Sequence, residues 1–321
     1  MISLTTISSP IKFEFQYSKS VLIYWQLPKY PDMSSKNQLV REQMAHQIIR
    51  IQPNKGFSAL GLGELWEYRD LLWFNILKNI KSKYRQMALG PLWIILQPII
   101  NMVIFTFVFG NMAGLDSGGI PYPLLTLSAL IPWNFFQNST TFSANSLVTQ
   151  MPVISKVYFP RMIIPLSDAL AWLVDFAVTF AVLLLIMAYY EIYPGWRVLF
   201  IPLYLLLILA TTLAIGLWSA SLTVKFRDVR LVVEYGLRVF MFLTPVAYTA
   251  DNLKGAVPEG WAWLIEMNPL YWVIEGFRWT LLDGSNAPSL FMIYPIALVA
   301  FLLISGAYVF RRTERSIVDL L

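Results

Sequence analysis

The sequence predicts an all-α polytopic membrane protein. It has six transmembrane helices, an N-terminal interfacial amphipathic helix, and short re-entrant helices between spans five and six. Three observations carry this. Of 321 residues, 57% are hydrophobic and 13% charged, where soluble domains carry about 25% charge. Apolar runs of about 20 residues, enough to cross ~30 Å of hydrocarbon, recur along the chain. Aromatic residues are abundant, with 12 Trp, 16 Tyr and 21 Phe, and mean hydropathy is +0.58. The net charge of +5 reads as a surplus on one membrane face, not as a nucleic-acid footprint. The chain has no Cys, so it has no disulfide and no thiolate metal site. Its one His, His46, lies in a polar stretch and reads as solvated, since a zinc site needs several ligands.

Residues 1–57 form an N-terminal extension. Ile11, Phe13, Phe15 and Tyr17 alternate with polar residues in a weak strand pattern, which Pro28 and Pro31 end. Composition shifts at Met33, so 1–32 is expected to lie upstream of the natural start and to be disordered. No cleavable signal peptide is visible. Residues 58–88 hold the interfacial helix: Leu65, Tyr68, Leu72, Ile76, Ile80 and Tyr84 recur at helical spacing. Trp66, Trp73 and the late lysines suit a bilayer surface. Gly90-Pro91 stops this helix.

Residues 89–321 are the transmembrane domain. The expected spans are 92–110, 124–148, 163–190, 198–222, 231–248 and 290–310. The second is unusually polar, with Asn134, Gln137, Asn138, Thr140, Ser143 and Asn145, and should face protein or water, not lipid. Between spans five and six, Trp261, Trp263, Tyr271, Trp272, Phe277 and Trp279 line short helices broken at Asn268-Pro269. Basic residues flank one side: Lys78, Lys81, Lys83, Arg85, Lys156, Arg161, Lys225, Arg227, Arg230, Arg311, Arg312 and Arg315. The other side has Arg197, Lys254 and Arg278. The positive-inside bias places both termini and the 150–162 and 223–230 loops in the cytoplasm.

No Walker A motif, metal-ligand cluster or Gly-x-Ser-x-Gly elbow is present. That favours a transporter or channel component over a membrane enzyme. The basic, proline-punctuated stretch 150–165 lies between two apolar runs and is a candidate for receiving work from a partner. Asp168, Asp175, Glu234 and Arg238 are polar groups in or near spans. They form either a proton relay or, as we favour, structural pairs, with Glu234 and Arg238 one helical turn apart. Phe105, Phe109, Trp133, Phe240, Phe242 and Tyr248 are candidates for lining a conduit for sugar chains, whose C–H faces rest well on rings. Lipid-facing bulk is the commoner use of such rings.

Several stretches together resemble the permease subunits of polysaccharide-exporting ABC transporters. They are Glu64-Leu-Trp-Glu-Tyr-Arg-Asp70, Lys83-Tyr-Arg-Gln-Met-Ala-Leu-Gly-Pro-Leu-Trp93, Ile104-Phe-Thr-Phe-Val-Phe-Gly110 and Lys156-Val-Tyr-Phe-Pro-Arg-Met-Ile-Ile-Pro165. Phe226-Arg-Asp-Val-Arg230, Phe242-Leu-Thr-Pro-Val246 and Asn268-Pro269 with Glu275-Gly-Phe-Arg278 continue the series. The resemblance covers roughly 50–321 and is specific through the order of its motifs. It implies a type-2 exporter fold: a homodimer around a conduit, in a bacterial inner (plasma) membrane. It also implies a separate ATPase subunit that binds ATP and Mg, so that this chain holds no cofactor and is not itself an enzyme. The implied substrate is a lipid-linked O-antigen, capsule or teichoic-acid-like polymer.

The same resemblance assigns ATPase coupling to the N-terminal helix through Trp66, Tyr68 and Arg69. It assigns the same role to the loop through Met151, Pro152, Val153, Ile154, Ser155, Lys156, Val157, Tyr158, Phe159, Pro160 and Arg161. It makes the short helices between spans five and six an outer-side gate. The rival readings are an exporter of drugs or small hydrophobes, a proton-coupled secondary transporter using Asp168 and Asp175, and a membrane-embedded transferase.

Overall fold

The computed structural model describes residues 62–85, 90, 92–157, 159–258, 260–282, 287 and 289–316. The expected extension 1–57 and its strand pattern lie outside them, as does Tyr158. The described residues are helical, with no strand among them. Helix α1 (Leu62–Glu67) runs into α2 (Arg69–Tyr84) through a single irregular residue, Tyr68. Helix α3 (Leu92–Phe105) contains Pro98 and continues as a wider π-helical segment, Thr106–Met112. Gly114, Gly118 and Gly119 then turn the chain at positive φ, a conformation that glycine adopts without a Cβ clash.

Helix α4 (Tyr122–Thr149) is 28 residues long, which at 1.5 Å per residue is about 42 Å. It is the central helix. Thr126, Ser128, Ser139, Thr140, Ser143 and Ser146 are buried. Most of these hydroxyls are satisfied within or between helices: Ser128 donates to the Leu125 carbonyl at 3.0 Å and Ser143 to the Pro165 carbonyl at 3.0 Å. Small hydroxyl residues let backbones approach closely in a membrane bundle. A Cβ at Gly216 would come within 2.9 Å of Ser143 Cβ. The polarity of this segment therefore serves contact with protein, as its sequence suggests.

A four-residue helix, α5 (Met151–Ile154), follows. Helices α6 (Ile163–Ala171) and α7 (Leu173–Tyr189) form one long rod interrupted at Trp172. A short 3₁₀ turn, Trp196–Phe200, leads into α8 (Ile201–Lys225). Helix α9 covers Val229–Phe242, so it stops six residues before the expected end of the fifth span. Pro245 has no N–H to continue the ladder and disfavours a helical Thr244 before it. Distant side chains then hold the segment: Asn268 Nδ2 donates to Thr244 Oγ1 at 2.9 Å, and Arg278 donates to the Tyr248 carbonyl at 3.0 Å. Helices α10 (Ala250–Gly255), α11 (Ala262–Glu266) and α12 (Pro269–Leu281) are the short helices expected here. Helix α13 (Ile293–Ser316) closes the described chain.

By length and apolarity four helical stretches can cross a membrane: Leu92–Met112, Ile163–Tyr189, Trp196–Lys225 and Leu290–Glu314. Helix α4 is long enough but too polar for that criterion, and α9 has 14 residues, or about 21 Å. The core sits between α4, α8, α7 and α12, where Trp133, Phe136, Phe176, Tyr204 and Phe277 are buried together. A second core gathers Leu147, Ile154, Phe159, Met162, Leu217 and Phe310, with Leu65, Tyr68 and Leu71 packed on it.

Candidate functional site

Helices α2, α3, α4, α5, α6–α7 and the start of α9 line an open groove of about 1190 Å³. Its lining mixes four chemistries, with Asp168 and Asp175 bringing carboxylates. Lys78, Lys83 and Arg230 bring positive charge; Asn79, Gln97, Asn145 and Gln150 bring amides; Trp93, Phe142 and Trp172 bring ring faces. Phe142 meets Trp172 edge-on, centroids 5.2 Å apart. Cations suit phosphate oxygens, and rings and amides suit the two faces of a sugar.

One wall is fixed by polar contacts that the helical period places on a single stripe of α2. Asn79 Nδ2 donates to Asp168 Oδ1 at 2.5 Å. Lys83 Nζ pairs with Asp175 Oδ2 at 2.5 Å, and the Tyr84 hydroxyl donates to Asp175 Oδ1. The Lys83 ammonium also lies over the Trp172 ring. Burial pulls Lys83 down from 10.5 to about 8, against the hydrogen bond and charge of Asp175, which act the other way. Burial and the same carboxylate push the Tyr84 hydroxyl well above its usual range. Asp168 and Asp175 are thus both engaged from α2. Glu234 and Arg238 pair within α9 at 2.9 Å, as their spacing suggests.

The residues proposed to touch a partner divide into two groups. Trp66, Arg69, Pro152, Val153, Ser155, Lys156 and Val157 are exposed. Ile154 and Phe159 are buried, while Tyr68, Met151 and Pro160 are half-buried. Arg161 points inward: its backbone N–H donates to Glu314 Oε1 at 3.0 Å and its guanidinium to the Glu314 carbonyl at 2.8 Å. Sequence reasoning missed Glu314, and it counted Arg311 only as a flanking cation, whereas Arg311 pairs with Glu64 at 2.9 Å. No local spacing links residues so far apart in the chain.

Five of the six conduit candidates fall into two ring groups. Phe105, Phe109 and Tyr248 meet edge-on, at 5.6 and 6.4 Å between centroids. Trp133 is buried against Phe136 and Phe240, and its indole N–H donates to Gln137 at 2.9 Å. Phe242 is exposed. Trp133 therefore serves the chain's own core.

Arg278, counted from sequence among the sparse cations of one side, is 2% exposed. It pairs with Glu275 at 2.9 Å and donates to the carbonyls of Leu125, Val246 and Tyr248. It ties α12, the start of α4 and the segment after α9 into one knot.

Comparison with known proteins gives this arrangement a family. A model of the ABC-2 type transporter matches residues 70–282. The O-antigen export system permease protein RfbA of Klebsiella pneumoniae is 30% identical over 217 residues, covering 67% of this chain and 81% of the relative. The protein of the same name from Myxococcus xanthus is 27% identical over 216 residues, with the same coverage. The polysialic acid transport protein KpsM of Escherichia coli is 23% identical over 248 residues, covering 75% of this chain and 92% of the relative. The matched region begins in α2 and ends just beyond α12, taking in the groove, the loop after α4 and the Arg278 knot; the chain belongs to the ABC-2 type transporter family.

Proposed function

We propose that this chain is the membrane permease of an ATP-driven exporter of a lipid-linked polysaccharide. It works as a homodimer with a separate ATPase subunit that holds ATP and Mg. Helices α4 and α9 complete six spans, both termini are cytoplasmic, and α10–α12 form a re-entrant outer-side gate. The observation that carries the reading is the groove. It opens beside the basic 150–162 loop, and it offers Lys78 and Arg230 as exposed cations next to Trp93, Phe142 and Trp172. That surface suits the phosphate-bearing end of a glycolipid. The names of the relatives, O-antigen and polysialic acid export, support the same substrate class.

In this reading the exposed face Val153, Ser155, Lys156 and Val157 meets the ATPase, while Ile154 and Phe159 root the loop in the permease. ATP binding shifts a two-state permease only if the ATPase contacts the two states differently. The test is deletion of this chain in its source strain. Loss of surface polysaccharide with lipid-linked polymer retained inside is expected. Normal surface polymer would overturn the reading. So would export that persists with the partner ATPase inactivated, or turnover of a lipid-linked sugar by the purified chain alone.

A further inference from the structure

We propose that the last turns of α13 are the third member of the coupling platform. Arg311 and Glu314 clamp the N-terminal helix and the 150–161 loop into one body with the last span. The inference rests on the reading that the loop docks the ATPase, and it names the part of the permease that receives the push.

The clamp has two arms from one helix end. Glu314 accepts the Arg161 backbone N–H at 3.0 Å, and its own carbonyl accepts the Arg161 guanidinium at 2.8 Å. One turn earlier, Arg311 Nη2 pairs with Glu64 Oε2 at 2.9 Å at the start of α1. Between the arms, Phe310 and Ala307 are buried with Ile154, Phe159 and Met162, and Leu65 and Tyr68 pack on the same cluster.

Side chains from the loop, α1 and α13 thus share one apolar core and two polar links. A displacement of the loop displaces α13. Helix α13 lies on α8, where a Cβ at Gly306 would come within 2.8 Å of the Trp218 ring and Trp218 Nε1 donates to Ser305 at 3.2 Å. Helix α8 in turn lies on α4 at Gly216 and Ser143. The push delivered at the loop reaches the central helix by packed backbone.

The experiment uses the full-length permease assembled with its ATPase. It reads three quantities: assembly, ATP hydrolysis, and polysaccharide appearing at the cell surface per ATP hydrolysed. Glu314→Ala is expected to assemble and hydrolyse ATP while export per ATP falls about fivefold, the scale of one lost buried hydrogen bond. Glu314→Gln keeps the acceptor for the Arg161 N–H and is expected to restore most of the ratio. A role confined to stability predicts no such split between hydrolysis and export. An unchanged ratio in Glu314→Ala overturns the inference.

Should Glu314→Ala fail to fold, Arg311→Met and Arg311→Lys give the same comparison on the other arm. A wild-type ratio in Arg311→Met then overturns it. Lys156→Glu, on the exposed face of the loop, separates the two levels. If it leaves both assembly and ratio intact, the docking reading itself fails. If it uncouples and Glu314→Ala does not, only the clamp is wrong.

Discussion

Replacing Asp175 by Asn tests what holds α2 against the third span. Lys83 sits 19% exposed, paired with Asp175 at 2.5 Å, and yet its pKa is lowered from 10.5 to about 8. Burial therefore outweighs the attraction of the carboxylate. The shift corresponds to about 3 kcal/mol against the charged form, and to nearer ~2 kcal/mol once water screens the exposed part. The sign follows from linkage. Below pH 8 both folded and unfolded chains carry the ammonium, and the fold bears the full cost. Between about 8 and 10.5 the unfolded chain binds the proton and the folded one does not, so stability climbs with pH. Asp175→Asn strands the ammonium and should cost about 2–3 kcal/mol at pH 7, below the range for fully buried pairs. Lys83→Met removes the charge, keeps the stem and leaves Asp175 with the Tyr84 hydroxyl; it should cost far less. Thermal unfolding of the purified permease, followed by Trp fluorescence, reads the difference. Asp175→Asn should lower the midpoint by roughly 5–10 °C at pH 7, with much of the deficit recovered at pH 9. Equal losses in the two variants would refute the reasoning, and so would a deficit identical at both pH values.

Arg278→Met should cost about 3–5 kcal/mol, because it leaves the Glu275 carboxylate and three backbone carbonyls without their buried donor; the thermal midpoint checks it, with Arg278→Lys intermediate. Gly276→Ala would place a Cβ 2.0 Å from the Tyr204 ring and should cost at least about 1–3 kcal/mol as overpacking. Tyr204→Leu in the same chain should return part of that loss. Trp133→Ala should cost about 3–5 kcal/mol as a core cavity, whereas Phe242→Ala, on an exposed side chain, should stay within ~0.5 kcal/mol. If Phe242 lines the conduit, its variant lowers export at unchanged thermal midpoint.

Helix positions were readable because their signals are local. Apolar runs bounded by Gly and Pro set α3 and α8 within a few residues, and the polar residues of α4 pointed to contact with protein or water. The break at Trp172 was not readable. The early end of α9 was, because Pro245 interrupts Leu231–Tyr248; what the sequence does not show is that Asn268 and Arg278, presented by another element, hold the segment around it. The α2 stripe shows the same limit. Period gave its inner face, Leu65 to Tyr84, but the partners of Asn79 and Lys83 lie 89 and 92 residues away. For the loop, composition marked 150–162 as a candidate contact without distinguishing its outward face from its roots. Arg161 looked like an exposed cation and is bonded to Glu314, 153 residues on.

Two polar anchorages of the N-terminal helices lie at opposite ends, with Asn79 on Asp168 as a third beside the groove, and this has a mechanical consequence. Glu64 is held by Arg311 at the clamp, and Lys83 is held by Asp175 at the groove wall. The 19 residue steps between them span about 28 Å along α1 and α2, which meet at Tyr68. A stiff helix carries a displacement of one end to the other; a frayed one absorbs it. Phe74 and Leu77 lie midway, are 64% and 37% exposed, and touch neither anchorage, so they can be changed without cutting either. Phe74→Gly with Leu77→Gly should weaken the helix by about 1 kcal/mol per site relative to Ala. If α2 carries the motion from clamp to groove, the Gly pair should hydrolyse ATP with the ATPase bound while exporting several-fold less polymer than the Ala pair. Equal export by the two pairs, at equal assembly, would show that the groove wall does not move with the clamp, and that the push reaches α4 through α13 and α8 alone.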